Sequence, residues 1–462
     1  MSRTDSPGER RVPAGPVVYK FGGSSLADVA RIRHVAGLVE RMPMPPAVVV
    51  SATGSTTDRL LEVLADEPGS RRAGLAPVVR DHRILVGSLG GGPDLMSELD
   101  RRAAEAEDAL RTLDDPRQMA AGADGVLSLG EDLAALALVA ALRERGVPAR
   151  VVDARSLIRT DASFGFANPA EAAIRDQVAT HLLPVLSGGE VGVVQGFVGA
   201  TADGRTTTLG RGGSDLTATL LGAALDSVAV HIWTDVEGVL SADPRLVERP
   251  RVLDVVGFEE AIELAYFGAR VLHSGAAKQA VARGVPVRIR STFVPERDGT
   301  LILPERYGGG GIAAVATKPH VSLIKVRARR SAMPYGFLAR VFEVLARHRL
   351  AVDLVATSHT STAFTVDESE EIHEVARELQ EVAEVDVRTG LATVTVVGNG
   401  LLRQPGFDAR VFGAVDLTPI HLVSQASDVS LSLVVDGDQA EALVRRLHEE
   451  LVGPSPRTGA PA

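Results

Sequence analysis

Residues 206–215 read TTTLGRGGSD and place hydroxyls, glycines, a guanidinium and a carboxylate in one short stretch. Glycines let backbone N–H groups approach a bound anion with no Cβ in the way. Arg211 offers a planar fork suited to carboxylate or phosphate, and Asp215 is placed to hold a metal or to order nearby cations. Two more stretches share this character. Lys20 and Phe21 precede Gly22-Gly23-Ser24-Ser25, and residues 51–58 read SATGSTTD. Together they point to a site that binds and neutralises anions.

Such a site needs elements to aim it. Residues 17–19 form a short apolar strand that ends at Lys20, and a helical pattern follows over 27–40. Strand, glycine turn and helix direct backbone N–H groups and a helix N-terminus at phosphate. The lysine precedes the glycines, so this is not a Walker A loop. A second buried strand, 47–51, runs into the hydroxyl-rich loop and a helix from Leu60. Residues 67–118 read as helices with a glycine-rich break at 87–92 and receive no chemical role. Glu131 opens a strong helix at 133–145, where it either complements the helix dipole or binds substrate. Further strands are expected at 149–152, 191–197, 228–233 and 285–289, and helices at 216–224 and 258–272. His231 lies mid-strand and reads as a core histidine. Strands alternating with helices imply an α/β domain with a largely parallel sheet. The polar clusters fall at strand C-terminal ends, where such sheets bind ligands.

Composition sets the outer limits. A chain of 462 residues implies several domains. The formal charge of −10 argues against nucleic acid as a partner, and the absence of cysteine excludes disulfides, thiolate catalysis and cysteine–zinc sites. Residues 1–15 lack an apolar h-region, so they read as a disordered tail rather than a secretory signal. No apolar run approaches the ~20 residues of a membrane span, and a cytoplasmic protein is expected. After a glycine run at 307–311 the pattern changes. Residues 336–342 (GFLARVF) match residues 406–412 (GFDARVF) at an offset of 406 − 336 = 70. Strands and helices around both copies imply two tandem βαββαβ units, an α+β arrangement. The expected domains are therefore 16–305, 312–389 and 390–452, the last two intertwined or tandem, with a disordered tail at 453–462.

The motifs together resemble aspartate kinase, of the amino-acid kinase family. KFGGSSLAD (20–28), TTTLGRGGSD (206–215) and WTDVEGVLSADPR (233–245) carry the resemblance, which spans about residues 16–452. The tail repeat is similar to paired ACT domains, and FGARVLH (267–273) is similar to the lysine-sensitive, monofunctional subgroup. The resemblance implies a carbamate-kinase-like three-layer sandwich followed by two ACT units. It implies phosphoryl transfer from MgATP to the β-carboxylate of L-aspartate, at the head of aspartate-family amino-acid synthesis.

Roles follow by the same resemblance. Lys20, Gly22, Gly23 and Asp215 would be catalytic. Ser51, Thr57, Glu131, Phe197, Arg211 and Ser214 would contact aspartate, Arg211 at its α-carboxylate and Glu131 at its ammonium. Lys20, Gly22, Gly23, Ser24, Thr234, Asp235, Arg245 and Arg270 would hold the nucleotide. Mg2+ is expected on the phosphates, with no dedicated metal cage. Gly336, Phe337, Leu338, Asp353, Ser358 and His359 would form an amino-acid effector site. A homodimer or higher homo-oligomer is expected, with no nucleic acid or membrane partner.

Several positions depart from the family pattern. Arg270 replaces a nucleotide-binding lysine, Leu240 a tyrosine and Ser274 a proline. In the effector site Pro334, Tyr335 and His359 replace a serine, an arginine and a glutamate. The lost carboxylate implies weakened lysine inhibition. Two other readings stay open: a kinase for another acidic amino acid, and an amino-acid-sensing regulator with a vestigial kinase domain.

Overall fold

The computed structural model describes residues 16–42, 45–267, 284–304, 311–328 and 336–453. The described residues fall into two compact units, one taking those up to Gly238 together with 284–304, the other taking 239–267 and everything from 311 on. Apart from Gly453, both compositional tails lie outside the described residues.

The first unit is built on strands β1 (Val18–Phe21), β2 (Ala47–Val50), β3 (Ala149–Val151), β4 (Val191–Gln195), β7 (Val230–Thr234), β9 (Val287–Ser291) and β10 (Thr300–Leu303). They lie in the order β3-β4-β2-β1-β7-β9-β10. All neighbours are parallel except β9 and β10. The α/β, largely parallel architecture expected from the sequence is thus present. Valine runs such as AVVV in β2 are buried throughout because helices cover both faces of a parallel sheet. Tyr19, Phe21, Val48 and Val50 share one core with helices Val29–Glu40 and Leu129–Glu144. Side chains alternate along a strand, so Lys20 projects to the opposite face, toward helix Gly213–Ala224.

The helical stretch Met119–Glu144 is 26 residues long and apolar enough to cross a membrane by length and composition, contrary to the sequence-based expectation. It is 89% buried inside the unit. A helix that is apolar all round is what a buried central element requires, and nearly every residue of Leu129–Glu144 is buried. That helix begins four residues before the expected start, which puts Glu131 inside its first turn.

The second unit carries β8 (Val255–Gly257) and an antiparallel sheet of β11 (Gly311–Ala328), β12 (Val352–Thr357), β13 (Ser361–Asp367), β14 (Ala383–Asn399), β15 (Ile420–Ser424) and β16 (Ser430–Asp436). Its order is β12-β13-β11-β14-β16-β15. The repeat is visible in three dimensions. Gly336 and Gly406 both hold left-handed φ, 81° and 78°, at the starts of helices Phe337–Arg347 and Phe407–Val415. Val341 and Val411 are both fully buried, one in each of two separate cores.

The two repeats are interwoven through β11 and β14. The register of β11 breaks between Lys318 and Val321, around His320 with φ 57°. Beyond the break, residues 321–327 pair with β13 of the first repeat. Before it, residues 312–318 pair with residues 393–398 of the second repeat. The strand leading into the first repeat therefore completes the sheet of the second.

Candidate active site

The site is assembled at the C-terminal ends of β1, β2 and β4. Lys20 reaches Asp215 in the first turn of helix Gly213–Ala224, with Nζ 2.7 Å from Oδ1. Both side chains are mostly buried, at 12% and 13% exposure. A helix N-terminus favours a carboxylate, and from there Asp215 orders the lysine head through this ion pair. Only glycine fits at position 23, where a Cβ would lie 2.6 Å from the Ala52 carbonyl oxygen. This close approach clamps the loops after β1 and β2 together, and Gly54 N–H donates to Gly23 O across them at 3.0 Å. Ser51 N–H likewise donates to Phe21 O.

One expectation needs correction. Gly22 N–H is not directed at a phosphate, because it donates to the Trp233 carbonyl at 3.1 Å. Gly22 lies beside the lysine head, and a Cβ there would stand 3.8 Å from Lys20 Nζ, an ordinary contact. Parallel pairing of β1 with β7 brings that carbonyl within reach.

Glu131 faces the same loops. Its Oε1 accepts from Ala52 N–H at 3.1 Å, and its Oε2 is buried with no hydrogen-bond partner among the described residues. Burial pushes its carboxyl up to about 8, well above the usual range. A buried acceptor without a partner is costly, and a ligand cation is the group that would satisfy it. The dipole-cap reading of Glu131 is therefore insufficient, since it leaves the buried Oε2 unaccounted for.

The loop after β2 has a support that the sequence did not reveal. His82, in helix Arg71–Ser88, donates from Nδ1 to Val78 O at 2.8 Å, which leaves Nε2 as an acceptor for the Thr53 hydroxyl at 2.7 Å. Burial lowers its pKa, keeping the ring neutral and this tautomer in place. Thr53 and Thr56 are 3.0 Å apart through their hydroxyls. Thr57, beside them, is half-buried in the first turn of helix Thr56–Ala65.

The TTTLGRGGSD stretch begins as a strand, not a loop. Its threonines form β6 (Thr206–Thr208), a hairpin partner of β5 (Val198–Ala200). Phe197 sits in the left-handed region at φ 67°, uncommon for a residue with a side chain. Its conformation is fixed from both sides, because its N–H donates to Thr217 Oγ1 and its carbonyl accepts from Leu209 N–H. Arg211 stands exposed on the following turn, while Ser214 is buried behind Gly196.

Asp124, another residue with no sequence motif, anchors this stretch. Its Oδ2 accepts from Thr208 N–H at 2.8 Å and Gly165 N–H at 2.9 Å, and its Oδ1 accepts from Thr208 Oγ1. Asp124→Ala would leave two N–H donors without their acceptor. We expect a loss of about 2–4 kcal/mol, read as a lower denaturation midpoint with an unchanged denaturant slope. A midpoint equal to the parent's would contradict this role.

The remaining expected residues divide. In the first unit Thr234 closes β7 and its hydroxyl donates to Asp235 Oδ1 at 3.1 Å. Ser24 lies in the short helix after Gly22, half-buried. In the second unit Arg245 is exposed and paired with Asp243 at 2.6 Å. Arg270, Ser274, Pro334 and Tyr335 lie outside the described residues.

Among the effector candidates, Gly336, Phe337 and Leu338 start helix Phe337–Arg347, and Ser358 and His359 are exposed after β12. Ser358 is tied to Ser361 through both backbone and hydroxyl. Asp353 behaves differently. Its side chain is only 2% exposed and holds Lys318 Nζ at 2.7 Å on one oxygen, while the Tyr266 hydroxyl donates to the other. Lys318 also pairs with Asp367 at 2.7 Å and lies over the Tyr266 ring.

Comparison with known proteins agrees with this geometry. The model of the amino acid kinase family matches residues 15–291, and an ACT domain model matches 394–451. The chain is 37% identical over 446 residues to lysine-sensitive aspartokinase 3 of Escherichia coli K12, covering 94% of this chain and 99% of that protein. The chain is an aspartokinase of the amino acid kinase family. Aspartokinase 1, chloroplastic, of Arabidopsis thaliana is 34% identical over 461 residues, with 94% and 79% coverage. Among solved structures, E. coli aspartokinase III in complex with aspartate and ADP (R-state) superposes with a TM-score of 0.81 at 35% identity, covering 95% of this chain and 100% of that one. The same enzyme in complex with lysine and aspartate (T-state) gives 0.80. Both aspartokinase III structures cover the catalytic and the ACT parts of the chain together.

Proposed function

We propose that this aspartokinase transfers the γ-phosphoryl group of ATP to the β-carboxylate of L-aspartate, giving 4-phospho-L-aspartate and ADP. The observation that carries the proposal is Glu131, buried with an oxygen unpartnered among the described residues, whose other oxygen holds the loop after β2 that is clamped to the turn following Lys20. Glu131 takes the substrate ammonium and Arg211 its α-carboxylate, which leaves the β-carboxylate to face Lys20. That carboxylate is already an anion, so no general base is required. Its oxygen bonds to the γ-phosphorus as the bond from that phosphorus to the β–γ bridging oxygen breaks, and ADP leaves with the electron pair. Catalysis is then positioning plus neutralisation of charge. Lys20 supplies positive charge to the group in flight, and Asp215 keeps its ammonium in place. Thr234 and Asp235 at the end of β7 contribute to the nucleotide site. Mg2+ would be carried on the ATP phosphates, where it would offset their charge.

The test is ADP release with L-aspartate and MgATP, compared with L-glutamate. Turnover on aspartate alone supports the proposal. Turnover on glutamate alone moves the assignment to another acidic amino acid, and no turnover by folded protein moves it to a regulator with a vestigial kinase domain. The intact Lys20–Asp215 pair favours the enzyme.

We also infer that lysine inhibition is weak or absent. Asp353, the carboxylate expected to meet an effector, is buried and already neutralised by Lys318 and Tyr266. A free lysine ammonium would have to displace a tethered one, whose effective concentration is high. Less than half inhibition at 10-fold the concentration that would saturate a micromolar site, roughly 1 mM, is the expected result of a lysine titration. Full inhibition at submillimolar lysine would sink the idea. The assembly is a homodimer or larger, which would cover exposed side chains of the end strands such as Val355 and Val423. A cytoplasmic location accords with its substrates.

A further inference from the structure

One large aromatic ring in the catalytic unit lies open to solvent. Phe166 is 74% exposed. Its neighbour Phe164 is accounted for, since Arg205 lies over that ring at 5.1 Å. Yet the loop carrying Phe166 is firmly held. Asp161 accepts from Ser163 and Asn168 through both backbone and side chain. Gly165 N–H donates to Asp124, and Ala167 N–H donates to Thr208 O at 2.9 Å. Loop and β6 are therefore joined on both sides of Phe166, and Asp124 is their common anchor.

The held ring rests against the turn that carries Arg211. A Cβ on Gly210 would lie 2.4 Å from Phe166 Cδ1, so the ring seats directly on bare backbone one residue before Arg211. Gly210 also holds φ 75°, where a side chain is strained. Two independent features thus keep this contact open to the ring alone.

Resting on the kinase reading above, we infer that Phe166 is a specificity-determining wall of the acidic amino-acid site, covering the pair between Arg211 and the substrate α-carboxylate. An exposed ion pair in water is weak and screened by salt. The same pair beside a ring that excludes water is stronger, and apolar walls with a few polar groups are how small-ligand sites are built. Phe166 acts on binding and orientation of the amino-acid end, away from the transferring phosphoryl group.

The test is steady-state kinetics of the full chain carrying Phe166→Ala, Phe166→Leu and Phe166→Tyr. Phe166→Ala should raise KM for L-aspartate about 10-fold, with kcat and KM for ATP within about 2-fold of the parent. Its KM for aspartate should climb more steeply with added KCl, because the uncovered pair is screened. Phe166→Leu and Phe166→Tyr should recover most of the loss. The side chain is exposed, so the melting temperature should not move. Active parent protein with an unchanged aspartate KM in Phe166→Ala overturns this inference alone. Equal losses in kcat and in both KM values also overturn it, by showing a general structural role. A parent protein that is folded but inactive on aspartate overturns the kinase reading, and this inference with it.

Discussion

Lys20→Met is expected to lower kcat by about 10²–10³-fold, roughly 3–4 kcal/mol of transition-state stabilisation, while the protein stays folded. Methionine keeps most of the lysine stem but carries no charge. The three phosphoryl oxygens and the attacking carboxylate then meet without the ammonium now 2.7 Å from Asp215. The loss should appear in kcat rather than in KM for aspartate, because Glu131 and Arg211 bind the other end of the substrate. The melting temperature should fall, since Lys20→Met leaves the mostly buried Asp215 carboxylate without its partner, so kcat is compared on protein shown to be folded. Asp215→Asn should fall in the same direction by a smaller factor, because it frees the lysine without removing it. The double variant should resemble Lys20→Met alone, the signature of two residues acting as a unit. ADP release under saturating substrates measures all three. A Lys20→Met protein retaining more than about a tenth of the parent kcat would remove Lys20 from the chemistry.

The second large effect concerns Glu131. With its carboxyl pushed up to about 8, chiefly by burial, the group is largely protonated in the ligand-free protein at neutral pH. Receiving an ammonium requires the carboxylate, so aspartate binding must release a proton. Affinity for aspartate should therefore rise with pH, approaching 10-fold per pH unit below 8, and level off above it. Calorimetry in buffers of different ionisation enthalpy would detect the proton directly.

Glu131→Gln cannot make this charge. It should raise KM for aspartate by about 10²-fold, the cost of a missing charged hydrogen bond, and it should abolish the pH dependence. Stability moves the other way. The carboxyl titrates near 4.5 when unfolded and about 8 when folded, so the folded state retains the proton between these values. Its contribution is complete below pH 4.5 and is lost as pH rises through 8, a change of a few kcal/mol. Ligand-free Glu131→Gln should accordingly melt higher than the parent at pH 8.5, with a smaller difference at pH 5. Equal melting temperatures at both pH values, together with pH-independent aspartate binding, would show that Glu131 is an ordinary surface-like acid.

The degree to which each feature could be read in advance follows the range of the interaction behind it. Lys20 and Asp215 were accessible as candidates because each sits in a local motif: a lysine at a strand end before glycines, and a carboxylate in a glycine-rich stretch that leads into a helix. Both motifs work through neighbours a few residues away. The 70-residue repeat was accessible for the same reason, as GFxARVF encodes a helix start and its buried face. By contrast, helix Leu129–Glu144 started earlier than its composition suggested, because a helix buried on all sides shows no amphipathic period to mark its ends. The threonines at 206–208 read only as part of a hydroxyl-rich stretch, and the strand they pair with is set by tertiary contact.

From its sequence alone this chain declared an α/β sheet with anion-binding turns at its strand ends, a duplicated α+β tail and the charged residues of an aspartokinase. Periodicity, turn chemistry and motif spacing are local properties, and they survive without coordinates. Only the tertiary structure decided how hydrogen-bond donors and acceptors are allotted. It assigned Gly22 N–H to the Trp233 carbonyl, set His82 and Asp124 beneath the binding loops, left Glu131 Oε2 without a partner among the described residues and wove β11 through both repeats. These features join residues tens to hundreds of positions apart. A buried polar group must find a partner wherever the fold brings one, and no local pattern in the chain records which residue that is.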